Sequence, residues 1–307
     1  MQSMAGLYQD VDVLTIDHLK VVVRHLAHDS LPDVTVNHNF LTYGLATEVL
    51  RFFFGDEWTN QNVFSIHTNV SRHNRDGRSY LRTDSTVADD QLRHMQRVTM
   101  LAEIAFGLQG TGGFTQRIAL TKRDGLESAL GEMQCAALLL HPNLQFRFVT
   151  PSGAKGSDYD AEVTTSGDRT ICCEIKVKLE RTDLNTQTLW STLESGRKQL
   201  PAGQPGLILV KIPETWVIQP SAKSIVAEAT TKVLSRSQRL VAVVLVWEEW
   251  RQAPQDWNIV ASKFKSYPNV QSDLYGPDIV DLLDVLGRAR NPTWVQFHAL
   301  VEQVRPT

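Results

Sequence analysis

Hydrophobic and polar positions divide the chain into a helical first part and an alternating remainder. Between residues 84 and 109 apolar side chains return at helical spacing, with Leu101, Ile104, Ala105 and Leu108 on one face. Asp84-Ser85 forms an N-cap pair for this helix, and Gly110-Thr-Gly-Gly113 stops it. The glycine loop lacks the lysine and hydroxyl of a phosphate-binding loop, so it reads as a linker. From residue 121 the period changes. A helix is predicted over Thr121–Leu140, then strands over Leu144–Thr150, Ser157–Thr165 and Arg169–Lys178. The last two are joined by the tight turn Ser166-Gly-Asp168. A helix opened by Asp183 turns Leu189, Leu193 and Leu200 inward and ends at Pro201. Leu207–Ile212 reads as a short buried strand and Ser221–Ser235 as a helix. Leu240–Trp247 is an uninterrupted apolar strand of the kind covered on both faces. Two more helices are expected near Asp278–Arg288 and Thr293–Val304.

This order, α-β-β-β-α-β-α-β, predicts an α/β protein: a mixed β-sheet flanked by helices, preceded by a mostly helical N-terminal region. Residues 1–115 and 116–307 are the expected domains. Composition narrows the class further. The 31 basic and 34 acidic residues of the 307 are spread evenly and leave a net charge of −3, so nucleic acid is not held by bulk charge. Contact with it would need local patches, or a cation bound to a carboxylate cluster. The longest apolar run, Leu240–Trp247, falls far short of the ~20 residues that span a membrane. No apolar block follows a basic start, so no signal peptide is expected. Three cysteines without a CxxC pair point to a reducing, cytoplasmic setting.

The hairpin between the second and third strands carries the chemistry. Alternation places Asp158, Asp160 and Glu162 on one face, and Glu174, Lys176 and Lys178 on the matching face of the next strand, with Ile175 and Val177 turned into the core. With Ser166-Gly-Asp168 as the loop, Asp160 falls opposite Glu174 and Asp158 opposite Lys176. Two carboxylates facing each other on a half-buried strand pair are destabilising unless a cation lies between them. Oxygen-only ligands suit Mg2+ or Mn2+ rather than zinc. Lys176 would sit beside that ion, where an ammonium can hold a phosphate oxygen or orient a water. An exposed hairpin with solvated charges is the plainer alternative.

Gly156-Ser-Asp-Tyr-Asp160, the turn, and Cys173-Glu-Ile-Lys-Val177 resemble the PD-(D/E)XK nuclease superfamily, over about residues 121–247. The resemblance implies an αβββαβ restriction-endonuclease-like core and a metal held by an aspartate and a Glu-x-Lys strand. Tyr159 stands where the proline of the family name would be. Carried over residue by residue, it implies Asp160 and Glu174 as metal ligands, Lys176 as the catalytic lysine and Glu132, on the preceding helix, as a further catalytic ligand. Asp158 is the rival to Asp160, and Glu127 the rival to Glu132. Gln199 and Lys198, at the end of the following helix, are placed to touch the scissile strand or simply form a polar face. Cys172 and Cys173 read as packing residues.

Outside that stretch, Ser71–Arg82 gathers Arg72, Arg75 and Arg78 with Tyr80. The arginines could grip phosphates and the ring stack on a base, or the segment is a solvated loop. The expectation is a Mg2+-dependent nuclease, with Mn2+ as substitute, acting on DNA. An inactive scaffold and an RNA-directed nuclease are the alternatives. A homodimer or a protein partner would engage the N-terminal region.

Overall fold

The computed structural model describes residues 11–29, 38–64, 81, 88–123, 126–150, 153, 156, 158–165, 167–180, 182–252, 258–288 and 293–304. The chain divides into two compact units, residues 1–110 with 118–130 and 292–307, and residues 111–117 with 131–291. Among the described residues no helix is long and apolar enough to cross a membrane.

The first unit is helical. It holds α1 (Ile16–Asp29), α2 (His38–Phe54), α3 (Asp56–Thr59), a π-helical turn over Asn60–Phe64, α4 (Ala88–Leu108) and the C-terminal helix Thr293–Val304. Leu19, Val23, Leu45, Leu50, Leu101, Ala105, Phe297 and Val301 recur at helical spacing and form its core. Glu103, itself buried, accepts the Phe297 amide at 2.8 Å, which ties the last helix to α4.

The second unit is a six-stranded mixed sheet flanked by helices, with strands in chain order. These are β1 (Gln145–Phe148), β2 (Ala161–Thr164), β3 (Thr170–Val177), β4 (Gly206–Lys211), β5 (Leu240–Gln252) and β6 (Asn258–Pro268). Pairing is antiparallel from β1 to β3, parallel from β3 to β5, and antiparallel between β5 and β6. Helices α5 (Phe114–Arg123) and α6 (Leu126–Ala137) precede β1. Then α7 (Thr186–Gln199) links β3 to β4, and α8 (Glu214–Val217) with α9 (Ala222–Leu234) links β4 to β5. Finally α10 (Pro277–Arg288) follows β6, and the C-terminal helix of the first unit is α11. One core cluster joins Leu189, Leu193 and Leu200 to Ile208, Val210, Val243 and Leu245, with Val226, Ala229 and Val233 from α9.

Several expectations are corrected. Of Thr121–Leu140 the described helical residues are the end of α5, up to Arg123, and α6, which stops at Ala137; residues 124 and 125 lie outside the described residues. Helix α7 is capped not by Asp183 but by Asn185, whose side chain accepts the Thr188 amide at 2.7 Å. Strand β5 runs on past Trp247 to Gln252, and β6, an additional strand, pairs along its whole length. In Ser262-Lys-Phe-Lys-Ser-Tyr267 the four polar residues surround Phe264 and Tyr267, which stand three apart, so this stretch shows no period-two alternation to mark a strand. The Asp84-Ser85 cap lies outside the described residues.

Candidate functional site

The β2–β3 hairpin has the expected register, Ala161 opposite Cys173 and Glu162 opposite Cys172, closed by Asp168 in the left-handed region at φ 57°. The second strand is shorter than expected. Asp158 and Asp160 precede the ladder and do not share a pleated face with Glu162. Backbone bonds still hold Asp160 in place: its amide donates to Cys173 O at 3.1 Å and its carbonyl accepts from Val149 N at 2.9 Å. Its side chain crosses to β3, where Oδ2 accepts the Ile175 amide at 2.8 Å. The aspartate is thereby fixed against the middle of the Glu-x-Lys tripeptide. The Asp158 carboxylate instead accepts the Gly153 amide at 3.0 Å, in the preceding turn.

Glu174 and Lys176 meet on β3, but not on a half-buried face. Helices cover both sides of this strand, and the Glu174 side chain is 1% exposed. Gly196 makes the burial possible: a Cβ there would lie 3.2 Å from Glu174 Cγ, so α7 passes directly over the carboxylate. Lys176 Nζ sits 2.6 Å from Glu174 Oε1 and donates to Gln199 Oε1 at 2.5 Å. The Gln199 amide in turn donates to the Asp158 carbonyl at 3.3 Å. Glu174 Oε2 is buried and has no hydrogen-bond partner. Burial first, then the charge of Asp160, push the Glu174 pKa up to about 8; Glu132 adds to the rise, and Lys176 opposes it.

Glu132 reaches this cluster through an arginine that sequence reasoning missed. Arg117, 7% exposed, donates through Nη1 to Glu132 and holds Nη2 3.4 Å from Asp160 Oδ1. Its guanidinium also lies 5.0 Å from the centre of the Phe148 ring. The glycine loop before α5 sets that position and is more than a linker. Gly112 O accepts the Phe148 amide at 2.8 Å, and Gly113, at φ 81°, approaches so closely that a Cβ would lie 2.7 Å from Phe148 O. The first turn of α5 is thus docked on β1, one turn before Arg117. A lone arginine on a helix carries no motif, so only this docking distinguishes it. Three carboxylates and two cations converge here. The ligand atoms of Glu132, Asp160 and Glu174 do not all lie within 4.8 Å of one another, because Arg117 and Lys176 hold them.

Of the other expected contacts, Gln199 belongs to the cluster. Lys198 is turned to solvent, 62% exposed and 3.9 Å from Glu194. Arg72, Arg75, Arg78 and Tyr80 lie outside the described residues. Glu127 lies in the first turn of α6. All three cysteines are buried and reduced, and burial raises each thiol pKa, Cys135 to about 12, which makes them poor nucleophiles. No family model, no curated protein and no solved structure matches this chain.

Proposed function

We propose that the protein is a Mg2+-dependent nuclease that hydrolyses phosphodiester bonds, with DNA as substrate and the αβββαβ core of the PD-(D/E)XK superfamily as its frame. One observation carries the reading: Asp160 is clamped onto the Glu174-Ile-Lys176 strand, beside a buried carboxylate whose second oxygen has no partner. That oxygen and the oxygen-only donor set suit a divalent cation, which Asp160, Glu174 and Glu132 would hold in exchange for their ion pairs to Arg117 and Lys176. When bound, such an ion polarises a phosphoryl oxygen and acidifies water.

The residues of the chain do the rest. Ile175 N–H orients Asp160, and Arg117 pairs with Asp160 and Glu132 in the metal-free protein. Gln199 fixes the Lys176 ammonium, which would stabilise the negative charge that develops on the phosphoryl oxygens. Gly196 lets α7 exclude water from Glu174. The test is incubation of the full chain with plasmid, linear and single-stranded DNA and with RNA, with and without Mn2+, beside Lys176→Met. Cleavage that needs the metal and is lost in Lys176→Met supports the reading, and the preferred substrate separates DNA from RNA. Metal-bound protein that cleaves none of the four would overturn it in favour of a scaffold.

A further inference from the structure

The first unit holds a second group of ligating side chains, of different chemistry. His38 opens α2, and His298 and Glu302 lie one turn apart on α11. One ligand atom from each lies within 4.8 Å of those of the other two, and among the described residues no other set of histidine, cysteine or carboxylate side chains meets that condition. The imidazole centres are 3.9 Å apart, and His298 Nδ1 is 3.8 Å from Glu302 Oε1. His38 Nε2 donates to the His298 carbonyl at 3.0 Å, a bond of the kind that fixes tautomer and ring direction in metal-ligating histidines. Two histidines from opposite ends of the sequence are therefore already oriented with respect to each other.

We propose that His38, His298 and Glu302 bind a divalent transition metal of the zinc class, with water completing a four-coordinate shell. Two imidazole nitrogens and one carboxylate oxygen are a borderline-soft set, which selects zinc over magnesium. The helical setting supports this: α11 packs on α1, α2 and α4, so a metal bridging residues 38 and 298 would fasten both ends of the sequence into one helical unit. The site is independent of the nuclease reading.

The test uses the full chain, stripped with a chelator and dialysed, then titrated with Zn2+ by calorimetry and with Co2+ by visible absorption. The expected result is one zinc per chain more than in His298→Ala, a visible cobalt band of the tetrahedral kind, and a melting temperature that rises with zinc concentration. Glu302→Ala, at a side chain 64% exposed, keeps the fold and should weaken zinc at least about tenfold; His298→Ala should abolish the cobalt band. Glu174→Gln should leave the tetrahedral cobalt band unchanged, which separates this site from the carboxylate cluster. Absence of zinc binding, or zinc binding equally tight in Glu302→Ala and His298→Ala, would overturn the proposal.

Discussion

Glu174 and Glu248 are both buried glutamates of one sheet, each paired with a lysine, and their surroundings differ. On β5, Glu248 meets Lys211 Nζ at 3.4 Å and accepts from the Gln134 amide, a cation and a neutral donor among the described residues. On β3, Glu174 meets Lys176 at 2.6 Å, but Asp160 and Glu132 also act on it, and Arg117 is engaged by those two. A matched pair shapes the interior. A cluster with one more acid than base either takes up a proton or takes up a cation, and the pKa of about 8 at Glu174 is the proton-bound alternative. Among the described residues acids outnumber bases around Glu174, which is the pattern expected if the proposed chemistry competes with stability there.

The sharpest break of this comparison comes from truncating each glutamate. Glu174→Ala should cost roughly 10³-fold or more in cleavage, while above pH 8, where Glu174 is ionised, the metal-free urea midpoint stays level or rises because like-charge repulsion is relieved. Glu248→Ala should do the reverse. It leaves Lys211 buried without its carboxylate, at a cost of about 3–5 kcal/mol in urea unfolding, with metal affinity unchanged. Equal stability losses in the two variants would erase the distinction.

Arg117→Ala sharpens the contrast from the cation side. With the competing guanidinium gone, Glu132 and Asp160 lose the cation they share, so metal-free stability should fall by about 1–3 kcal/mol. Mn2+ should then bind more tightly by calorimetry. Weaker Mn2+ binding would mean that Arg117 builds the site and does not compete within it. The smallest effect is expected at Lys198. Its ion pair is exposed, so Lys198→Ala should change stability by less than about 0.5 kcal/mol.

Much of the sheet was legible in the sequence because its signals are local. Leu207–Ile212 and Leu240–Trp247 are apolar runs, and Ser166-Gly-Asp168 fixed a register that placed Asp160 beside the Glu-x-Lys strand. What was not legible depends on contacts distant in sequence. Asp160 leaves the pleat to accept an amide fifteen residues away, and burial of Glu174 requires Gly196 on a helix that follows. Arg117 becomes part of the site only because Gly113 touches Phe148. The group of His38, His298 and Glu302 is harder still, since residues 38 and 298 meet only in the folded unit.

Glu174 also sets a pH dependence with a definite sign. Its folded pKa of about 8 stands above the ordinary 4.5, so between those values the folded state holds a proton that the unfolded state releases. That contribution to stability is full below the lower value and is lost as pH rises through the upper, each tenfold being worth about 1.4 kcal/mol. Metal binding must displace the same proton.

The most direct measurement is therefore Mn2+ calorimetry from pH 6 to 9 in the His298→Ala background, with and without Glu174→Gln. The account predicts affinity that climbs with pH and levels off near pH 8, with proton release seen in buffers of different ionisation heat. Glu174→Gln should lose both the affinity and its pH dependence. Mn2+ binding that is equally tight in the two proteins, or flat across this range, would contradict the assignment of the carboxylate cluster as a divalent-cation site.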